Sequence, residues 1–228
     1  MSETASKPLS RRQMAWRAAQ DIPEGAYVNL GIGLPTLCGD YIPPGREIVF
    51  HSENGVLGTG PAPKKGDEDP DLINAGKQLV TLVPGGSYFS HNDAFLMIRG
   101  GHIDVALLGA FEVSEKGDLA NWITNDPQTT PGVGGAMDLA AGAKEVRVLV
   151  EHTTKEGEPR LKKACTYPLT APGRVKRVYT NLAVIDVTKD GLVVREMVDG
   201  LDLAALQKVT EPKLTLANDW KKIAAPAV

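Results

Sequence analysis

Three short segments carry residue types whose spacing suits chemistry. In Phe50-His51-Ser52-Glu53-Asn54-Gly55-Val56-Leu57-Gly58-Thr59-Gly60-Pro61 a single carboxylate, Glu53, follows an apolar run and precedes three glycines. Ligands bind beyond the carboxyl ends of strands in an open α/β sheet. A carboxylate held there, partly removed from water and lined by backbone donors, serves as a base or a nucleophile. The competing reading is a turn glutamate that faces solvent. In Asn29-Leu30-Gly31-Ile32-Gly33-Leu34-Pro35 two glycines separate an apolar strand from a helix start. Such a turn bends sharply and offers consecutive N–H groups to a phosphate, a carboxylate or a developing oxyanion. In Pro131-Gly132-Val133-Gly134-Gly135-Ala136-Met137-Asp138-Leu139 a Gly-Gly pair enters an Ala-rich helix. It permits close approach to a ligand, or serves packing alone.

Other chemistries lack their residues. No Gly-x-Ser-x-Gly elbow, no HExxH and no second acid for a glycosidase pair accompanies Glu53. Glu53 does fall about twenty residues beyond the first glycines, as a dinucleotide fingerprint requires. Thr36, however, stands where that fingerprint wants Gly or Ala for close packing, and Pro35 is unusual beside it, so the sequence argues against NAD binding. His51, His91, His102 and His152 share no metal-ligand spacing and read as structural or surface residues. Cys38 and Cys165 lie far apart and read as core filler, with neither a disulfide framework nor a zinc site. The acidic window Lys64–Asp71 departs from EF-hand spacing and reads as a solvated loop.

The elements that must position these segments are legible in outline. Ser10 with Gln13 forms a capping box for a helix from Arg11, with Leu9 stapled onto Met14, and Pro23 and Gly25 close it. Ala26–Leu30 reads as a strand, Pro35–Tyr41 as a helix with Pro at its N-terminus, and Glu47–His51 as the next strand. Leu79–Val83 reads as a strand ended by a Pro84–Gly85–Gly86 turn. Ser90 with Asp93 caps a helix that stops at Gly100–Gly101. Ile103–Leu108 and Val146–Glu151 are nearly continuous apolar runs, as expected of strands covered on both faces. Asp190–Gly191 between Ala183–Val187 and Leu192–Met197 marks a hairpin, and Asp202 caps a last short helix.

Composition agrees with an ordinary globular chain: 228 residues, 42% apolar, 23% charged, with 25 Lys+Arg against 28 Asp+Glu. That balance lacks the basic footprint of a nucleic-acid or anionic-membrane binder. No run reaches the roughly 20 apolar residues of a membrane span, and the first twenty residues lack a signal-peptide core. A cytoplasmic protein is expected. Strands interleaved with helices, plus a late hairpin, predict an α/β fold with an open mixed sheet flanked by helices.

Taken together the motifs resemble those of the β subunit of family I 3-oxoacid CoA-transferases. The likeness rests on Ser52–Gly55 followed by Leu57–Pro61, and extends through Asn29–Pro35, Asp71–Lys77, Met97–His102, Gly117–Trp122 and Gly134–Leu139, in family order. It covers about Ser10 to Lys213, and around Glu24–Leu30 it is nearer to the β subunits that act on 3-oxoadipate. The resemblance implies one domain with a core of about 10–213, of the fold shared with some sugar-phosphate isomerases, and tails or partner contacts outside it. It implies that Glu53 attacks a donor acyl-CoA, passes through a mixed anhydride and becomes a glutamyl-CoA thioester, which a 3-oxo acid then attacks. It places Asn29 near the glutamate, Gly134 and less firmly Gly135 at the thioester, and an oxyanion site on the Asn29/Gly31/Gly33 turn. Lys77 and Arg99 are candidates for a distal carboxylate.

The same likeness implies succinyl-CoA as donor and 3-oxoadipate as acceptor. Acetoacetate is the alternative acceptor, and a noncatalytic acyl-CoA-binding subunit or a CoA-thioester hydrolase are the alternative roles. Coenzyme A is then a cosubstrate, with no permanently bound cofactor and no metal. An α subunit completes the site in a heterodimer or heterotetramer, with no nucleic-acid or membrane partner.

Overall fold

The computed structural model describes residues 7–227, and the expected tail before Ser10 lies partly outside them. In chain order the first elements are α1 (Arg11–Gln20), β1 (Tyr27–Leu30), a 3₁₀ segment (Pro35–Tyr41), β2 (Val49–Ser52), β3 (Val56–Thr59), β4 (Leu82–Tyr88), α2 (His91–Arg99) and β5 (Val105–Leu108). Then come β6 (Glu112–Ser114), β7 (Leu119–Ala120), α3 (Ala136–Gly142), β8 (Glu145–Leu149), β9 (Leu161–Lys162) and β10 (Val175–Tyr179). The chain continues with β11 (Ala183–Thr188), β12 (Gly191–Met197), α4 (Leu203–Lys208) and β13 (Leu214–Lys222).

A ten-stranded sheet runs β13-β12-β11-β10-β8-β5-β1-β2-β3-β4. Its centre is parallel, from β2 through β1, β5 and β8 to β10. Antiparallel hairpins extend it on both sides, β3 and β4 beyond β2, and β11 and β12 beyond β10. Alternation sorts the central side chains onto two faces. Val105 and Leu107 join Met14, Ala18 and Val28 in one apolar core under α1, while Ala106 and Leu108 join Ile98, Leu139 and Val148 in the other, under α2 and α3. Covered on both faces, β5 is buried throughout, as its apolar run predicts. The expected α/β architecture is what the chain adopts.

Local signals set the ends of several elements. The Ser10 hydroxyl accepts from the Gln13 N–H at 3.2 Å while the Gln13 side chain accepts from the Ser10 N–H at 2.9 Å. Ser90 and Asp93 form the same device at α2, and Asp202 caps α4 through the Ala205 N–H at 2.7 Å.

Three expectations need correction. Pro35–Tyr41 is a 3₁₀ segment rather than an α-helix, ended where Ile42 turns extended ahead of Pro43, as the residue before a proline must. Pro84–Gly85–Gly86 lies inside β4 instead of ending it. Gly86 faces Gly58 so closely that a Cβ on Gly58 would come within 3.0 Å of the Gly86 Cα, and the ladder is bulged there. An edge strand also tolerates proline. The segment beyond Lys213 is no tail: Leu214–Lys222 pairs in parallel with β12 as the edge strand β13. A small second sheet, β7-β6-β9, was not anticipated.

Candidate active site

Glu53 sits at the tip of the tight hairpin between β2 and β3, where Ser52 pairs with Val56. The Gly55 N–H donates to the Ser52 carbonyl at 3.0 Å, closing the turn. Gly55 has φ +107°, and a Cβ there would collide with the Phe89 carbonyl, so only glycine fits. The turn is tied down on both flanks. The Phe89 N–H donates to the Gly55 carbonyl at 3.0 Å, and His91 Nδ1 donates to the Glu53 carbonyl at 2.9 Å. On the other side the Ala75 N–H donates to Ser52 Oγ at 2.9 Å, and Asn54 Nδ2 donates to the Ile73 carbonyl at 2.7 Å. The carboxylate is thereby held on a rigid tip beside the carboxyl end of β1.

The Glu53 side chain is half-buried. Its Oε2 accepts from Asn29 Nδ2 at 2.9 Å. Asn29 is fully buried on β1, in register with His51, and its Nδ2 also lies 3.2 Å from the His51 carbonyl and 3.2 Å from His51 Nδ1. The carboxylate's Oε1 lies against Gly135, 3.6 Å from where a Cβ would stand, and such a Cβ would also press on the Phe95 ring at 3.2 Å. Gly135 therefore keeps the space over the carboxylate open. Burial pushes the His51 imidazole below its usual range, opposed by the Glu53 charge and the Ala94 backbone, so the ring is neutral.

A cleft of about 350 Å³ opens beside Glu53 and is bordered by Gly31, Ile32, Phe111, Gly134 and Gly135. Gly134 takes φ +50° at its rim, and Ile32 is 69% exposed over it. Asn121 secures the far wall, donating to the Gly109 carbonyl at 3.0 Å and accepting from Thr170 Oγ1 at 2.6 Å.

Of the residues singled out by sequence, Glu53, Asn29, Gly134 and Gly135 come together at this cleft. Gly31 is present but spent as a donor, because its N–H bonds the Leu107 carbonyl at 2.8 Å and extends the β1–β5 ladder. Its value is steric, since a Cβ would sit 3.0 Å from that same oxygen. Gly33 makes the exposed turn at φ +93°, and the cleft wall passes through Ile32 instead. Arg99 is already engaged, its Nε 2.6 Å from Asp138 and its guanidinium 5.6 Å over Phe95. Lys77 is exposed on the Asn74–Gln78 turn at φ +63°, one residue from Gly76, which packs beside Ile32. His51, His91, Phe95 and Asn121 gained no role from sequence. Asn121 lay within a recognised motif, but only the fold brings the others to Glu53.

The profile of the coenzyme A transferase family matches residues 11–208. The chain is similar to the B subunit of 3-oxoadipate CoA-transferase from Pseudomonas putida, 58% identical over 207 residues that make up 91% of this chain and 97% of that one. It is similar also to the B subunit of succinyl-CoA:3-ketoacid coenzyme A transferase from Helicobacter pylori, 50% identical over 201 residues, 88% of this chain and 96% of that one. In fold it matches the acyl-CoA transferase YdiF of Escherichia coli O157:H7, with a TM-score of 0.72 at 19% identity over 94% of this chain. It spans 43% of that longer protein. Among the described residues no helix is long and apolar enough to cross a membrane.

Proposed function

The chain belongs to the coenzyme A transferase family, and from that premise we propose that it is the B subunit of an enzyme that carries CoA from succinyl-CoA to 3-oxoadipate through a thioester on Glu53. In the first half-reaction a Glu53 oxygen attacks the thioester carbonyl, and the CoA thiolate leaves from the tetrahedral intermediate, giving a mixed anhydride. The thiolate then attacks the Glu53 carbonyl carbon and releases succinate, leaving the glutamyl-CoA thioester. In the second half-reaction the acceptor carboxylate attacks that thioester and expels the thiolate. The thiolate then attacks the acceptor's acyl carbon, and Glu53 leaves as a free carboxylate. No net proton is gained or lost. Splitting one difficult exchange into two acyl transfers is ordinary covalent catalysis.

The observation that carries this reading is the Asn29 Nδ2–Glu53 Oε2 contact of 2.9 Å at a rigid hairpin tip facing an open cleft. The amide orients the nucleophilic carboxylate and remains at hand when charge develops on oxygen; losing one such donor costs about 10²–10³ in rate. Gly134 and Gly135, without side chains, leave room for the thioester sulfur to approach. CoA enters as a substrate. The naming of the relatives as B subunits supports a companion A subunit that completes the cleft, in a heterodimer or in a heterotetramer of two such pairs. The preference for 3-oxoadipate rests on the higher identity to the Pseudomonas putida protein.

The test is to co-express the chain with its companion subunit, incubate the complex with succinyl-CoA, and trap the thioester with borohydride. Peptide mass spectrometry should place the reduction on Glu53. An unmodified Glu53 in a complex that binds CoA would overturn the proposal.

A further inference from the structure

Asn29 must present the N–H edge of its amide to Glu53, and nothing in its own side chain enforces that orientation. Turned over, the amide would set Oδ1 against a carboxylate oxygen, two acceptors face to face. Glu53 Oε2 and the His51 carbonyl, 3.2 Å away, both accept from Nδ2, and the His51 ring is the third neighbour at that edge. Its Nδ1 lies 3.2 Å from Asn29 Nδ2, which carries only hydrogens, so Nδ1 must offer a lone pair and the ring proton must sit on Nε2. A proton on Nδ1 would set two donors face to face and press the amide away from its place beside Glu53. The ring is fixed in plane by Phe89, stacked at 6.0 Å and 22°. Both side chains are sealed from water, Asn29 at 0% and His51 at 3% exposure, so solvent cannot take over the contact. Nε2 makes no hydrogen bond of full geometry, so beside the weaker pull of the Ala94 backbone on the ring it is the Asn29 contact that selects the tautomer.

We propose that His51 is a positioning residue: as the Nε2–H tautomer it holds the Asn29 amide with Nδ2 toward Glu53, and so keeps the carboxylate aimed into the cleft. The proposal rests on the reading of Glu53 as nucleophile and extends it one layer inward. It assigns His51 no proton transfer and no contact with substrate.

Two measurements on the complex with the companion subunit test it. The first is nitrogen NMR of the His51 ring and the Asn29 amide. Nδ1 should be unprotonated, and the Asn29 amide signals should move in His51→Leu. A protonated Nδ1, or Asn29 signals unmoved in His51→Leu, would overturn the proposal whatever the fate of Glu53. The second is single-turnover formation of the trapped thioester over a range of succinyl-CoA concentrations. His51→Leu should lower the limiting rate about 10–100-fold while half-saturation stays within about twofold. His51→Asn, whose amide oxygen can stand where Nδ1 stands, should recover most of that loss. A His51→Leu rate equal to wild type, or an Asn variant no better than the Leu variant, would overturn it. A wild-type complex that forms no thioester on Glu53 would sink the nucleophile assignment, and the NMR readout would still decide the role of His51.

Discussion

Beside the half of the sheet from β10 to β13, His152, just past β8, is buried with both ring nitrogens occupied, Nδ1 3.0 Å from Thr180 Oγ1 and Nε2 2.8 Å from Thr210 Oγ1. In the half from β1 to β4, His51 is equally buried, yet its Nε2 has no partner and neither has Asn29 Oδ1. The contrast extends to the charged groups. Around β10 and β11, Arg177 bonds Asp186 at 2.6 Å and Asp21 at 2.8 Å, and Tyr179 donates to the same Asp21 at 2.8 Å. Burial would raise the Asp21 carboxyl, but Arg17, Tyr179 and Arg177 outweigh it and hold it below its usual range. The third orphaned atom among the described residues, Arg160 Nε, belongs to a side chain that props up the Phe111 carbonyl beside the cleft. An unsatisfied buried group costs about 1–3 kcal/mol. The chain bears that cost beside the carboxylate and avoids it at the far end, where the pairing supplies stability.

The contrast can be broken most decisively at Glu53. Glu53→Ala should abolish exchange, by about 10⁴-fold or more, with the melting temperature of the complex nearly unchanged. A large loss of stability would mean that the carboxylate belongs to the scaffold after all. Asn29→Ala should lower turnover by about 10²–10³ in the exchange assay. If the rate holds, the contact seen at 2.9 Å is idle.

The far end has its own test, in pH. Burial lowers His152 from 6.5 to about 4. The unfolded chain takes up that proton below about pH 6.5 and the folded chain resists until about pH 4. Stability is therefore complete above pH 6.5 and falls as the pH drops through this window, by about 3 kcal/mol from this group. An NMR titration of the His152 ring reads this directly, and a midpoint near 6.5 would erase the contrast with a fully satisfied core. The smallest effect is expected at Lys77, a non-glycine residue at φ +63°. Lys77→Gly should raise stability by about 0.5–1 kcal/mol in denaturant titrations, and a loss of stability would mean that the backbone at this turn is not strained.

How far these regions could be read from sequence follows the range of the forces involved. The capping boxes at Ser10–Gln13 and Ser90–Asp93, and the Asp190–Gly191 hairpin, depend on neighbours within a few residues and were legible as they stand. Glu53, Asn29 and Gly134 were legible as motifs. What the motifs could not carry was pairing across distance. The Gly31 N–H looked available until β5 supplied the Leu107 carbonyl. Pro84–Gly85–Gly86 looked like a turn until Gly58 came to face it. His51 read as a structural or surface residue because its meaning lies in Asn29, Phe89 and Glu53 meeting around it. The two- and three-residue strands of the second sheet are too short for any periodic signal.

The two outermost strands of the large sheet have a further consequence for how the molecule behaves in a crowded solution. An open strand edge invites another chain to add itself by backbone pairing, the first step toward fibrous aggregates. At one edge β4 carries Pro84, which has no amide hydrogen to offer, and its ladder to β3 is bulged. At the other, β13 breaks register against β12 and ends in Asp219, Lys221 and Lys222, with Lys221 reaching Glu196 and Lys222 reaching Asp199. Each edge is spoiled as a template by a different means, so the sheet is closed to growth at ten strands without being closed into a barrel.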